Sequence, residues 1–219
     1  MKNQTLSQSR GRIAFTLIEL LVVIAVIGIL AALLFPVMNR IQNKRITTVA
    51  YGELTQVATA IEAYHAKKGF YPPDNPNSVI TNQLYWELTG SVLTTNVYTT
   101  RDGANSISTN NVSSFFGVPG FVNSSASIRG TDDAPTSESF IKELKPDQIV
   151  TVTVGAVTTK VLAASEGWDQ PGVQRIAAWN YNSSHPTNNP GSYDLWVDLY
   201  IRGKTNRISN WSKEPQVLP

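Results

Sequence analysis

Residues 15–37 read FTLIELLVVIAVIGILAALLFPV, a run of 23 residues with a single charge, that of Glu19. The hydrocarbon core of a bilayer is about 30 Å thick, and about 20 mainly apolar helical residues are needed to cross it. A secretory signal is the alternative, but its apolar region usually has about 7 to 15 residues before a small-residue cleavage site. The length of the run therefore predicts a membrane-spanning helix.

In the following residues, 38–68, the apolar side chains no longer occupy every position but are confined mostly to one face of the predicted helix. Apolar residues recur mostly at steps of three and four between Ile41 and Tyr64, with polar residues mostly between them. This pattern predicts an amphipathic helix that continues the apolar one. A glycine followed by a Pro-Pro pair predicts that the helix ends near residues 67–69. Pro36 lies inside it and predicts a kink or local loosening.

Residues 69–219 are predicted to form one α+β head, with a small antiparallel sheet packed against the amphipathic helix. About 150 residues suffice for a domain with its own core. The chain of 219 residues has no Cys, so no disulfide can stabilise it. An irregular Ser/Thr/Asn-rich insertion is expected at about 89–134. Short helices are predicted at 82–88 and 138–144. Strands at 149–154 and 157–162 are predicted to form a hairpin around Gly155-Ala156. Further strands are predicted at 174–180, 193–201 and 207–211, with a turn at 202–206.

The charge distribution argues against a nucleic-acid partner. The formal net charge is +2, but residues 1–14 contain Lys2, Arg10 and Arg12 and no acid. Without that segment, 15 basic residues face 16 acidic ones, so no general basic excess remains to bind phosphates. The sequence also lacks hydrolase, zinc-protease and kinase motifs and a Cys nucleophile, so we expect no enzymatic activity.

The pentapeptide Phe15-Thr16-Leu17-Ile18-Glu19 lies behind a short basic leader and opens a long apolar helix. In these features the chain resembles the processing and assembly segment of type IV pilins and type II secretion pseudopilins. The resemblance implies that a prepilin peptidase removes a leader, residues 1–14, by cutting between Ala14 and Phe15, and that the new amino terminus of Phe15 is methylated. The family usually has Gly before the cut, where this chain has Ala14.

Three residues of the helix match assembly positions of that family. A carboxylate in an apolar helix costs about 2.5–3.5 kcal/mol at the bilayer centre and therefore usually marks a function. The resemblance implies that Glu19 pairs with the amino terminus of a neighbouring subunit. It also implies that Gly28 and Pro36 bound a stretch that loosens when subunits pack into a filament. A purely structural interpretation, close packing at Gly28 and a passive kink at Pro36, stays open.

The similarity to major pseudopilins is weaker in the head. It rests on residues 71–72, 167–171, 193–195 and 208–211, and residues 89–134 have no counterpart. Major pseudopilins commonly bind calcium in an Asp-rich C-terminal loop, whereas Gly203-Lys204-Thr205-Asn206-Arg207 carries two cations and no acid. We therefore expect no metal and no other cofactor. Asp194 and Asp198, four positions apart on one face of a strand, are the alternative calcium ligands.

The sequence thus predicts a pilin-like α+β protein that serves as a subunit of a type IV pilus-like or type II secretion pseudopilus filament. The implied partners are prepilin peptidase, other copies or related pilin subunits, and an inner-membrane assembly platform. The implied location is the bacterial inner membrane as a single-pass precursor with an extracytoplasmic head, then a periplasmic or surface filament. Two alternatives stay open: a signal-anchored periplasmic binding domain, and a DNA-uptake pseudopilin that binds duplex with a steep salt dependence.

Overall fold

The computed structural model describes residues 16–126, 136–166 and 177–219, with the backbone alone at 33–40. The chain divides between Asn43 and Lys44 into two compact units. The described residues form one long helix, two short helices, one 3-10 turn and ten short strands, which pair almost entirely antiparallel. The predicted α+β class with a long N-terminal helix is confirmed.

Helix α1 comprises Leu17–Lys68, a total of 52 residues, and its helical assignment continues through Pro36. It ends where the sequence predicts. Gly69 has a φ of 82°, a left-handed conformation that glycine adopts without steric cost, and its N–H donates to the carbonyl of His65 at 2.8 Å. Within the described ranges, no helix has both the length and the apolar character that crossing a membrane requires.

In the second unit, α1 shares a hydrophobic core with a four-stranded antiparallel sheet in the order β10-β9-β8-β7. Along β8, alternate side chains are buried, as expected for a strand with one face on a core. Leu195, Val197 and Leu199 are fully buried and belong to the same core as Val57 and Ile61 of α1. The strands are β7 (Asn180–Asn182), β8 (Asp194–Ile201), β9 (Lys204–Ser209) and β10 (Gln216–Leu218).

Two local predictions in the head are confirmed. Strands β5 (Ile149–Val154) and β6 (Val157–Leu162) form the predicted hairpin, and Gly155 at its turn has a φ of 59°. Helix α2 (Leu84–Thr89) overlaps the predicted helix at 82–88, beginning two residues later and ending one residue later, and it stops at Gly90. Every residue of α2 is buried, so this short helix is a core element.

The prediction of an irregular region at 89–134 is wrong for its described part. That part forms a second four-stranded sheet, in the order β3-β2-β1-β4, and a helix. An abundance of Ser and Thr is typical of loops, but β-branched Thr also suits a strand. The turn between β1 and β2 contains Thr95 in a left-handed conformation, which the sequence does not predict because threonine rarely adopts it. The elements are β1 (Ser91–Thr94), β2 (Val97–Thr100), β3 (Ser106–Ser108), α3 (Thr109–Phe116) and β4 (Ser124–Ala126).

The short helix predicted at 138–144 does not form. The backbone N–H groups of Phe140 and Ile141 donate to the carbonyl of Leu88, at 2.8 and 3.3 Å, and the N–H of Glu138 donates to the side chain of Asn123 at 3.0 Å. These bonds hold the segment against α2 without helical structure. A tertiary hydrogen-bond pattern has overridden local helix propensity.

The last part of the sheet differs from the prediction in its boundaries. The turn before β9 consists of Arg202 and Gly203 alone, both with positive φ, so the predicted turn at 202–206 was three residues too long. Of the strand predicted at 174–180, residues 174–176 lie outside the described part, and the observed strand β7 begins at Asn180. Residues 167–171 also lie outside the described part.

Candidate assembly site on the N-terminal helix

Thr16 and Glu19 form a reciprocal pair at the start of α1. The backbone N–H and the hydroxyl of Thr16 donate to Glu19 Oε2 at 2.8 and 2.7 Å, and the N–H of Glu19 donates to Thr16 Oγ1 at 3.3 Å. Thr16 immediately precedes the first helical residue, Leu17, so this geometry is a capping box. It satisfies N–H groups that the start of a helix otherwise leaves without a partner.

Sequence reasoning identified Glu19 but missed Thr16. The signal was present, because Thr followed three positions later by Glu, ahead of an apolar run, is the sequence form of a capping box. In the structure, the carboxylate that the resemblance assigns to a neighbour's amino terminus is bonded to its own helix start.

The helix surface that follows is apolar and exposed. Between Leu17 and Leu30 every described large aliphatic side chain is about half exposed or more, from 47% at Val23 to 82% at Leu17. A contiguous apolar surface of this kind on a single chain marks a site of interaction with a protein or a membrane. A Cβ added at Gly28 would have no atom within 4 Å among the described residues, so no close contact inside the chain requires glycine there.

The other predicted site residues stand as follows. Ala14 and Phe15, on either side of the predicted cleavage point, lie outside the described residues. The backbone at Pro36 is helical, and its side chain is not described. The processing and loosening roles of these residues therefore stay predictions.

Within the second unit, buried polar contacts fix the C-terminal part of α1 to the head. The hydroxyl of Tyr64 donates to the buried carboxylate of Glu87 at 3.0 Å, and the N–H groups of Val122 and Asn123 donate to the same carboxylate at 2.7 and 2.8 Å. Burial raises the pKa of Glu87, while these donors act in the opposite direction. A carboxylate of α1 itself, that of Glu53, accepts hydrogen bonds from the N–H and hydroxyl of Ser165.

The two alternative calcium ligands already have other partners. The carboxylate of Asp194 accepts hydrogen bonds from the loop at 187–189, and that of Asp198 accepts two bonds from Arg207, both at 2.8 Å. No group of three or more His, Cys, Asp or Glu side chains that could hold a metal occurs in the described part of the chain. The structure does not bring these two aspartates together as a pair of ligands.

Comparison with known proteins defines a class for the N-terminal segment. Residues 9–35 match the family model described as the prokaryotic N-terminal methylation motif. This range includes the capping box of Thr16 and Glu19 and most of the exposed apolar helix surface. The segment is therefore that of a protein with a prepilin-type amino terminus.

Individual relatives make the class more specific. The type II secretion system core protein G of Pseudomonas aeruginosa is 42% identical over 66 residues, 30% of this chain and 46% of that protein. The fimbrial protein EcpC of Eikenella corrodens is 34% identical over 79 residues, 36% of this chain and 52% of its own length. The type IV major alpha-pilin of Moraxella bovis is 51% identical over 49 residues, 22% of this chain and 31% of its own length.

The N-terminal segment of the chain is therefore similar to those of pilins and pseudopilins, as the sequence motif predicted. The chain spans about half or less of the length of these relatives. No solved structure matches it.

Proposed function

We propose that this protein is a structural subunit of a type IV pilus-like or type II secretion pseudopilus filament, processed by prepilin peptidase and assembled through its N-terminal helix. The observation that carries the proposal is the exposed apolar surface of α1 from Leu17 to Leu30, headed by the single carboxylate of Glu19. The names of the relatives, a secretion core protein and two kinds of fimbrial or pilus protein, agree with it.

The physical argument starts from the cost of leaving that surface in water. Apolar surface gains about 25 cal/mol for every Å² removed from water, so the surface is stable only against lipid or other apolar helices. In the proposed cycle it is embedded in the inner membrane before assembly, with the head on the extracytoplasmic side. In the filament, helices of neighbouring subunits replace the lipid, and van der Waals packing between them maintains the contact.

Glu19 gives the proposed assembly its register. Removing an ionised carboxylate from water without a partner is costly, so a helix that carries one favours the position where a cation meets it. The amino terminus created by cleavage before Phe15 supplies such a cation on each neighbouring subunit. Because the Glu19 carboxylate accepts bonds from Thr16 in the isolated chain, it enters the apolar environment already partly satisfied.

The test is the chemical nature of the mature amino terminus. The full chain, produced together with a prepilin peptidase, is expected to yield an N-terminal peptide that begins at Phe15 and carries one methyl group, measured by mass spectrometry. An Ala14→Gly variant, with the residue usual for the family, serves as a matched control and should be processed at least as completely. A leader that remains on most of the cellular pool of both proteins would overturn the proposal and favour a signal-anchored domain.

A further inference from the structure

The loop between β7 and β8, residues 183–193, connects two strands of the main sheet without helix or strand of its own. A connection of this length normally needs fixed partners for its backbone N–H groups, or it stays open to water. Here two aspartates accept five of those N–H groups, one aspartate at the beginning of the loop and the other at its centre.

Asp194 holds the centre of the loop. Its Oδ2 accepts the N–H groups of Thr187 and Asn188 at 2.8 and 2.9 Å, and its Oδ1 accepts the N–H of Asn189 at 2.9 Å. The side-chain amides of Asn188 and Asn189 also donate to this carboxylate, at 3.0 and 3.3 Å. Asp194 is 2% exposed, so these donors compensate for the loss of hydration.

Asn210 connects this centre to the sheet. Its Oδ1 accepts from the side chain of Asn189 at 3.0 Å and from the N–H of Leu195 at 3.1 Å, while its Nδ2 donates to the carbonyl of Tyr193 at 2.9 Å. Three of its hydrogen-bonding positions are therefore in use. Asn210 therefore links the loop to the beginning of β8 and to the end of β9.

Asp74 holds the beginning of the loop. Its Oδ2 accepts the N–H groups of Ser183 and Ser184 at 3.0 and 3.1 Å, and its Oδ1 accepts the hydroxyl of Ser184. Asp74 lies shortly after the end of α1, so this contact joins the loop to the chain that leaves the helix. We call Asp74, Asp194 and the five backbone N–H groups that they accept the aspartate network.

The resemblance to major pseudopilins implies a calcium ion in a C-terminal loop, with Asp194 and Asp198 as the alternative ligands in this chain, and the groups around these two aspartates do not fit one. Calcium takes six to eight oxygen ligands at about 2.3–2.6 Å. Both oxygens of Asp194 face N–H groups, whose positive ends would repel a cation placed among them. Asp198 is held by the guanidinium of Arg207, a fixed positive charge.

We infer that the aspartate network fastens the β7–β8 loop in place of a metal ion, so that the head folds independently of calcium. Each carboxylate supplies negative charge and two acceptor oxygens, and the loop supplies the backbone N–H groups that complete the site. Asp74 and Asp194 are thus structural positioning residues. The inference rests on contacts within the head and is independent of filament assembly.

The pH dependence of the network follows from the protonation of Asp194. Burial alone would raise the pKa of Asp194, but the N–H groups of Asn188, Thr187 and Asn189 lower it below its ordinary value. A carboxyl with a lowered pKa in the folded state contributes stability that is fully present above the ordinary pKa of Asp, about 3.9. This contribution is lost as the pH falls through the lower value of the folded protein.

The experiment measures the Tm of the full chain in detergent, by near-ultraviolet circular dichroism, in EGTA and in millimolar calcium. We expect the two Tm values to agree within about 1 °C, and Asp194→Asn to lower the Tm by about 5 °C in both solutions. Asp147→Asn, the same change at an exposed aspartate, should leave the Tm unchanged. Between pH 5 and pH 3, the Tm of Asp194→Asn should fall less than that of the wild type.

Two results would overturn the inference. One is a wild-type Tm that calcium raises by several degrees or EGTA lowers, with the effect lost in Asp194→Asn, since that would show a cation site. The other is an Asp194→Asn variant with the wild-type Tm, since the network would then contribute nothing. Calorimetric titration of the wild type with calcium decides the metal question even if the variant fails to fold, because saturable binding at one site contradicts the inference.

Discussion

At the scale of single residues, Glu19 at the start of α1 combines a local hydrogen-bonding role with a position in an apolar helix. Thr16 and Glu19 satisfy each other's hydrogen-bonding groups at the start of an apolar helix. A carboxylate with two donors beside it is cheaper to place in an apolar environment than a bare one. The capping box therefore complements the assembly role proposed for Glu19.

The contribution of Thr16 can be measured by changing only its hydroxyl. Thr16→Val keeps the shape of the side chain and removes the cap, which should cost about 1 kcal/mol at the helix start. Amide hydrogen exchange of Glu19 and Leu20 in the detergent-solubilised chain should then accelerate about fivefold, with little change elsewhere. Thr16→Ser retains a capping hydroxyl and should exchange like the wild type. Equal exchange in all three proteins would show that the capping box is not formed in solution.

At the scale of elements, local signals predicted some parts of the head and not others. The β5–β6 hairpin was predicted to the residue, because alternating β-branched residues flank a Gly-Ala turn. The place of β4 in the second sheet could not be predicted, since β4 pairs in parallel with β1 from about 30 residues further along the chain, and no local pattern encodes such a pairing. The helix predicted at 138–144 failed because the carbonyl of Leu88 and the side chain of Asn123 took its N–H groups.

Gly90 lies where α2, the second sheet and the segment at 138–144 meet. It has a φ of 76°, and a Cβ added there would lie 2.6 Å from the carbonyl oxygen of Glu138 and 3.0 Å from the side chain of Arg101. A backbone oxygen cannot retreat without moving its segment. The position therefore requires glycine for two reasons, conformation and space.

These two reasons can be separated with a matched pair of variants. Gly103 also has a left-handed conformation, with a φ of 69°, but an added Cβ would meet nothing within 4 Å. Gly103→Ala should therefore lose only the conformational preference, about 1–2 kcal/mol. Gly90→Ala should lose more, with a Tm lower than that of Gly103→Ala by several degrees in thermal unfolding. Equal Tm values would mean that the segment at 138–144 moves away from the added methyl group without a cost in stability.

At the scale of the whole molecule, the sequence was most informative where function constrains it most. The sequence predicts three features correctly: the methylation motif, the apolar run and the helix end near Gly69. Each of them depends only on residues that are neighbours along the chain. The β7–β8 loop was not predicted, because Asp74 and Ser184 are 110 positions apart, and hydrogen bonds at that separation have no sequence signature. The exposure of the N-terminal helix and the polar fastening of the head belong to two separate units of the chain.

Because the apolar helix surface and the head belong to different units, we predict that a change in the helix can abolish assembly without affecting the head. Glu19→Ala removes the only charge of the apolar run, so membrane insertion should be retained or improved, by about 2.5–3.5 kcal/mol at most. Filaments should be lost, because the amino terminus of a neighbouring subunit then lacks its partner. The measurement compares sheared filament yield with membrane-bound protein, and head folding is followed by tryptophan fluorescence.

Two comparisons make the outcome decisive. Asp147→Asn, an exposed change in the head, should leave the filament yield unchanged. Glu19→Gln preserves the shape of the side chain without its charge, and so reports whether charge or size matters for assembly. If Glu19→Ala assembled at the wild-type yield, the carboxylate would not guide subunit addition, and its contact with Thr16 would be the whole of its role. Loss of filaments together with intact membrane protein and an unchanged head spectrum would locate the assembly signal in the first turn of α1.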